Sequence, residues 1–315
     1  MATDVDAVVA ARGDSLRERL DRVEARLREI AAEASPPLDR TAGDTIAAGG
    51  KRLRPLLVLL AAGDPPRRDD GLIRAAVAVE LIHSATLVHD DVLDAAPLRR
   101  GLPTVWASAG RDGAIATGDY LFARAFSELV ANGRTDEVAV LSDATSALAE
   151  GELLQREDAY DASITLERYL LRCEMKTARL FEAACRLGAL EAGADGEALG
   201  VFGRRIGLAF QLLDDVLDVS GPVERTGKPR GTDLLDGTVT LPFILARERD
   251  PALRAAARVT TAQEAEALCD RIAATGALDE ARARALAIVD DAKAGLPTRD
   301  RALDLVADGV VARYS

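Results

Sequence analysis

The pentapeptide DDVLD occurs twice, at residues 90–94 and 214–218, and each copy closes a long, mostly apolar stretch. The first stretch, AAVAVELIHSATLV (75–88), carries Glu80 as its one charge, and the second, LGVFGRRIGLAFQLLDDVLDVS (199–220), is followed by Gly221–Pro222. Both read as helices of a buried bundle. Acids at a helix C-terminus stand at the wrong end, because the dipole there is already negative. Residues i and i+4 share a helix face, so Asp90 and Asp94 point one way, as do Asp214 and Asp218. If the two helices lie side by side, these carboxylates meet across a cavity, where they repel and are poorly solvated. A single DDxxD is usually solvated surface; two copies at the ends of buried helices require compensating charge.

Hard divalent cations answer that requirement. All-oxygen sites favour magnesium, which keeps several waters and bridges carboxylates to phosphates, so a diphosphate held through Mg²⁺ is the expected ligand. The basic residues fit the same chemistry. Arg99 and Arg100 follow the first motif, and GGKRLRP (49–55) sets Lys51, Arg52 and Arg54 beside two glycines. Lys176–Thr177 lies in CEMKTARLF and Lys228 in TGKPRGTDL. A Walker A loop is excluded for GPVERTGKP: five residues separate Gly221 from Gly227, and proline follows the lysine. Each lysine alone reads as a solvated charge; beside two aspartate motifs that reading loses its force.

The rest of the chain predicts one all-α domain over residues 1–315. Leu16, Leu20, Val23, Leu27 and Ile30 recur at helical spacing in 15–33, and Ser35–Pro36–Pro37 stops that helix. An apolar helix is expected near Pro55, with others at 72–94, 113–131, 137–158, 164–189 and 199–220, and more beyond 241. No stretch alternates as strands do. A hydrophobic content of 48% over 315 residues suffices for a large core. The net charge of −12 argues against nucleic acid held on a general basic surface. PLLVLLAAG (55–63) is too short to cross a bilayer, so no stable membrane insertion is expected. The N-terminus lacks the pattern of a signal peptide. Cys173, Cys185 and Cys269 form no CxxC pair, which suits a reducing compartment. The expected location is cytoplasmic. The histidines, His83 and His89, form no HExxH zinc motif.

In order along the chain, GGKRLRP, ELIHSATLVHDDVLD with LRRG, GDYLFARAF, GELLQ, KTARLF, FQLLDDVLD and GKPRGTDL…TLP resemble the trans-isoprenyl diphosphate synthases, the polyprenyl synthetase family, over about residues 40–245. The resemblance implies a bundle of long helices around a deep central cavity, a homodimer, and head-to-tail prenyl transfer. An allylic diphosphate ionises, isopentenyl diphosphate attacks the cation, and loss of a proton leaves a chain five carbons longer. It further implies Mg²⁺, three ions per active site, held by Asp90, Asp94 and Asp214 with Asp91, Asp215 and Asp218 in support. Arg99, Lys176 and Lys228 would grip the allylic diphosphate. Lys51, Arg54, His83 and Arg100 would hold isopentenyl diphosphate, and Thr177 and Gln211 would set oxygen dipoles near the developing cation. His89 carries no assigned role. Relatives often have a basic residue where this chain has Thr238, so one phosphate contact is missing or supplied elsewhere.

Product length should depend on what blocks the cavity below the first aspartates. Short-chain relatives often place aromatics where this chain has Ala85 and Thr86. Ala85 lies roughly 7–8 Å along the helix from Asp90; Leu81, Ile82 and Val77 lie deeper, and Phe122 or Phe126 would form a floor. The expected product is C30 or longer, with C20–C25 the alternative. Lys51, Arg54 and Arg100 argue against a terpene cyclase, and two intact aspartate motifs argue against a non-catalytic partner subunit or a purely structural bundle.

Overall fold

The computed structural model describes residues 5–63, 69–221, 230–256 and 258–312. The elements are α1 (Val5–Arg12), α2 (Asp14–Ala32), α3 (Leu38–Ala47), α4 (Leu53–Ala61), α5 (Asp70–Leu93), β1 (Leu98–Arg99), β2 (Leu102–Pro103), α6 (Val105–Asn132), α7 (Thr135–Glu157) and α8 (Leu166–Cys173). A π-helical turn (Glu174–Ala178) leads into α9 (Arg179–Glu191), then α10 (Glu197–Ser220), α11 (Thr232–Leu235), α12 (Leu241–Arg249), a 3₁₀ segment (Pro251–Ala256), α13 (Ala262–Ala274), α14 (Ala277–Ala294) and α15 (Arg301–Ala312).

The all-α expectation holds, with one exception. The arginine-bearing segment after the first aspartate motif folds as a hairpin, with Leu98 opposite Pro103 and Arg99 opposite Leu102. Its turn residues, Arg100 and Gly101, both have positive φ, at 53° and 77°, as a tight two-residue hairpin turn requires. Strands this short leave no alternation to read. Helix α6 starts well before the predicted residue 113, because the helix breaks at Gly110, φ 74°, and resumes. Helix α3, absent from the expectation, lies between the two proline- and glycine-marked breaks.

One hydrophobic core runs from Val8 to Val310, and α5 passes through it. Leu72, Ala75, Ala76, Val77, Ala78, Val79, Leu81 and Ile82 show no more than traces of surface. Helix α5 is long and apolar enough to span a membrane, but 72% of that window is buried within the bundle, as in a helix that is hydrophobic all round at the centre of a large core. It packs against α4, α6 and α9, and α10 packs against α9 and α14.

Two glycines let the π-helical turn sit deep between its neighbours. A Cβ at Gly151 on α7 would lie 2.6 Å from the Lys176 nitrogen, and one at Gly207 on α10 would lie 2.8 Å from the Ala178 Cα. With hydrogen there, α7 and α10 close on the turn that carries Lys176 and Thr177. Turns of this type interrupt α-helices frequently at functional sites.

A polar node joins four helices away from this region. Asn132 Nδ2 donates to Gly71 O (3.1 Å), to Glu137 Oε2 (3.0 Å) and to Glu191 Oε1 (3.4 Å). Glu137 has no exposed surface. Burial and the adjacent Glu191 carboxylate raise its pKa, against the pull of Asn132 and Arg134. The folded protein therefore holds a proton on this carboxyl that the unfolded chain has released. Its contribution is fully present below the ordinary carboxylate range and is lost as pH rises through the raised folded value. Glu137→Gln is expected to gain about 1 kcal/mol relative to the parent at pH 8 and to show a flatter pH profile. Urea midpoints measured from pH 4 to pH 9 check this, and an unchanged slope would refute it.

Candidate active site

Two adjoining cavities, of about 740 Å³ and about 300 Å³, share Arg54, His83, Leu87, Arg99 and Phe210 as common walls. Lys51, Arg54, His83 and Arg100 all line the larger one. Asp90, Asp94, Arg99, Lys176, Thr177, Gln211, Asp214 and Asp215 line the smaller. The expected site residues thus fall into a basic and an acidic chamber with a shared wall.

The basic chamber is built on the GGKRLR segment. Arg52 takes a left-handed conformation, φ 47°, at the cap of α4. Its guanidinium reaches Glu24 on α2, Glu80 on α5 (2.8 Å) and the carbonyl of Ile46 (3.0 Å). This buried cluster fixes the segment on both sides and leaves Lys51 and Arg54 on the chamber wall. The Arg54 guanidinium sits 4.7 Å from the centre of the Phe181 ring. Burial pulls its pKa down to about 10, with Glu80 opposing, so it stays charged at neutral pH. His83 is held well below its ordinary value by burial and then by Arg54, Arg100 and Arg99, and is neutral. Arg100 crosses from the hairpin to donate to Gly49 O.

In the acidic chamber most carboxylates already have partners. Arg99 Nε donates to Asp91 Oδ1 at 2.8 Å, so the buried Asp91 turns to the hairpin and does not line the chamber. Asp94 is bound by Arg156. Asp215 accepts from Tyr169 Oη at 2.6 Å and from Gln211 Nε2 at 2.8 Å, while Thr177 Oγ1 donates to Gln211 Oε1 at 2.8 Å. Asp218 accepts from the Asp233 backbone N–H at 3.3 Å. Burial, then Asp233, pushes the Asp215 and Asp218 carboxyls up. Burial likewise raises Asp90 to about 6, against the pull of Lys176. Lys176 pairs with Glu152, and Glu152 also accepts from Arg156 Nε at 2.8 Å. Burial opposes ionisation of Glu152, but Lys176 and Arg156 outweigh it and lower its pKa.

Among the described residues no three carboxylate, imidazole or thiolate groups converge closely enough to hold a metal by themselves. The donor set still fits a hard cation. Asp90, Asp94, Asp214 and Asp215 wall one chamber with oxygen ligands, and burial penalises the charge of Asp90 and Asp215. Magnesium completes such sites with water and phosphate oxygens rather than with protein alone.

Other expected residues lie elsewhere. Lys228 falls outside the described residues. Thr86 lines the acidic chamber, but Ala85, Leu81 and Ile82 are fully buried in the core and line neither chamber. The Phe122 ring lies 5.5 Å from His89 in the seam between α5 and α6. Thr238 lines the acidic chamber, its N–H on Asp233 O at 2.7 Å. The sequence reading missed Glu152, Gln155, Arg156, Tyr169, Asp233 and Asp236. Glu152 and Arg156 were visible as an i,i+4 ion pair on one helix; nothing local marks Tyr169.

The family model described as polyprenyl synthetase matches residues 35–274. The chain is 41% identical over 274 residues to a heptaprenyl diphosphate synthase component 2 of Geobacillus stearothermophilus, covering 85% of this chain and 86% of that one. It is 36% identical over 291 residues to a geranylgeranyl diphosphate synthase of Methanosarcina mazei, covering 89% and 90%. A solved polyprenyl synthase of Caulobacter crescentus, complexed with calcium and isoprenyl diphosphate, superposes with a TM-score of 0.89 at 36% identity, covering 100% and 99%.

Tyr169→Phe removes one of two side-chain donors to the buried Asp215 and changes little volume. It is expected to destabilise the protein by about 0.5–1.5 kcal/mol, the range for a neutral hydrogen bond, because burial keeps the Asp215 carboxyl largely protonated at pH 7. Denaturant midpoints at pH 7 measure this, and an effect below a few tenths would remove Tyr169 from the account.

Proposed function

Because the chain belongs to the polyprenyl synthetase family, we propose that it joins isopentenyl diphosphate head-to-tail to an allylic diphosphate, releasing pyrophosphate and an all-trans chain five carbons longer. It is a trans-prenyltransferase with the all-α isoprenoid synthase fold. The observation that carries the reading is the pair of adjoining chambers: carboxylates from both DDVLD motifs line one, and Lys51, Arg54, His83 and Arg100 line the other.

In this reading Asp90, Asp94 and Asp214, supported by Asp91, Asp215 and Asp218, hold Mg²⁺, which when bound offsets the charge of the leaving diphosphate. The calcium and isoprenyl diphosphate in the Caulobacter relative support a hard cation with a diphosphate. Arg99 and Lys176, with Lys228, bind the same diphosphate and stabilise it most as the C–O bond breaks and its electron pair moves onto oxygen. Arg54 and Arg100 give isopentenyl diphosphate fork-shaped contacts, Lys51 a point charge, and neutral His83 a hydrogen bond. Thr177 and Gln211 direct oxygen dipoles at the allylic carbon while it is positive. Leu87, Leu148, Leu180 and Phe210 exclude water from it. The alkene electron pair forms the new C–C bond, and the departing pyrophosphate takes the proton.

We propose a product of C30 or longer, on the small side chains of Ala85 and Thr86 and the heptaprenyl relative; the geranylgeranyl relative keeps C20–C25 as the alternative. A homodimer is the proposed assembly. The relative's designation as a component favours a second reading, in which a partner subunit sets chain length. The unpaired, buried thiols of Cys173, Cys185 and Cys269 accord with a cytoplasmic location.

Purified protein with Mg²⁺, isopentenyl diphosphate and allylic primers of several lengths is expected to yield elongated products whose mass gives the chain length. No elongation with any primer would overturn the reading. Asp90→Asn and Asp214→Asn should each lower kcat about 10²–10³-fold. Arg100→Gln should raise KM for isopentenyl diphosphate about tenfold and leave the primer's KM unchanged. Ala85→Phe, which adds bulk to the core beside the Thr86 wall of the acidic chamber, should shorten the product; unchanged length would remove Ala85 from the proposed path of the growing chain.

A further inference from the structure

Arg156 lines the proposed diphosphate chamber and binds a proposed metal carboxylate, Asp94, yet has no role in the reaction above. It stands on α7, one turn after Glu152, and its Nε donates to Glu152 Oε1 at 2.8 Å. Its other arm binds Asp94, the residue that caps α5, from 62 positions away in sequence. Both side chains are partly open, at 38% and 37% exposure, and both line the acidic chamber with Asp90, Lys176 and Asp214.

A guanidinium and a divalent cation cannot occupy the same oxygen of Asp94, since like charges at contact distance repel. Metal binding at Asp94 Oδ1 therefore requires Arg156 to leave that oxygen. Glu152 is less exposed, at 13%, and lies on the same helix, so it tethers the released side chain at the rim of the chamber. The Arg156 fork then faces the space in which a diphosphate would lie, and guanidinium matches phosphate oxygens in pairs.

We propose that Arg156 is an exchanging counter-ion: it holds Asp94 until cation and diphosphate arrive together, then transfers to a diphosphate oxygen. The inference rests on the proposed function and adds a ligand to it. Its consequence is thermodynamic coupling. Arg156 weakens binding of the metal alone and strengthens binding of the metal–diphosphate pair, and by linkage each ligand favours the other.

The test measures binding, without turnover. Mn²⁺ is titrated into the parent, Arg156→Met and Arg156→Lys by electron paramagnetic resonance, and inorganic pyrophosphate is then titrated calorimetrically at saturating Mn²⁺. Arg156→Met should bind Mn²⁺ alone about threefold more tightly, the scale of a part-exposed ion pair. It should bind pyrophosphate about tenfold more weakly, the scale of a lost charge-assisted contact. Arg156→Lys should recover part of the pyrophosphate affinity. Opposite shifts in the two titrations are what a merely structural role would not produce. Shifts of the same sign, or none, would overturn the inference. If the methionine variant is misfolded by circular dichroism, Arg156→Gln takes its place under the same criteria. A parent protein that binds neither Mn²⁺ nor pyrophosphate would overturn the proposed function itself, and this inference with it.

Discussion

Asp90 at the end of α5 and Asp214–Asp215 near the end of α10 line one chamber, and burial, aided by neighbouring carboxylates, makes Asp90 and Asp215 costly to charge. Water relieves this only in part, because Asp91 and Asp215 are buried while Asp94 stays open. The structure relieves it locally: Arg99 for Asp91, Arg156 for Asp94, Tyr169 and Gln211 for Asp215, and a backbone N–H for Asp218. Removing one partner from such a buried pair is far more damaging than its net contribution suggests. The surrounding elements are thus constrained in a specific way. The hairpin must present Arg99, α7 must present Glu152 and Arg156, and α8 must present Tyr169.

The helices that present these groups must approach one another closely. The π-helical turn at Glu174–Ala178 shifts the register of the chain just where Lys176 and Thr177 are needed, and glycines at 151 and 207 remove the side chains that would hold α7 and α10 away. Thr177, Gln211 and Asp215 then form one hydrogen-bonded line across two helices. Such a line orients the Gln211 amide: its N–H donates to the aspartate and its oxygen accepts from the threonine. Gln211 is thereby prevented from rotating freely as charge develops nearby, which is what preorganisation requires.

Much of this was legible in the sequence, for physical reasons that differ from residue to residue. The i,i+4 spacing of Asp90 and Asp94 already implied a shared face, and the repeat at 214–218 implied that two helices meet. The flanks of GGKRLRP signalled a basic loop. What the sequence could not carry was pairing across long separations. Tyr169 reaches Asp215 over 46 positions and Arg156 reaches Asp94 over 62. Neither choice leaves a local trace. The hairpin was invisible because two-residue strands have no period, and α6 was shortened in the reading because Gly110 breaks it. Ala85 was expected beside the growing chain because it is close to Asp90 along the helix. Around the helix, Thr86 lines the acidic chamber and Ala85 is buried in the core beside it. Distance along an axis is readable from sequence; rotation about it is settled by packing.

The shared wall between the chambers bears the tightest constraint. In the proposed reaction two diphosphates in adjoining chambers would bring several negative charges close together, which calls for a cationic wall, yet a fully solvated cation would admit water beside the carbocation. Arg54 and His83 resolve this differently. Arg54 loses water but keeps its charge, because the Phe181 face and the field of Glu80 offset part of its desolvation. His83, beside three arginines, gives up its proton and remains as a neutral hydrogen-bonding group. A second fixed cation at position 83 would have had to be desolvated against its neighbours' repulsion. Neutral imidazole avoids that cost and still offers an N–H to phosphate. The shared wall therefore carries its charge on guanidinium alone, from Arg54 and Arg99, a group that is weakly hydrated and remains protonated when buried.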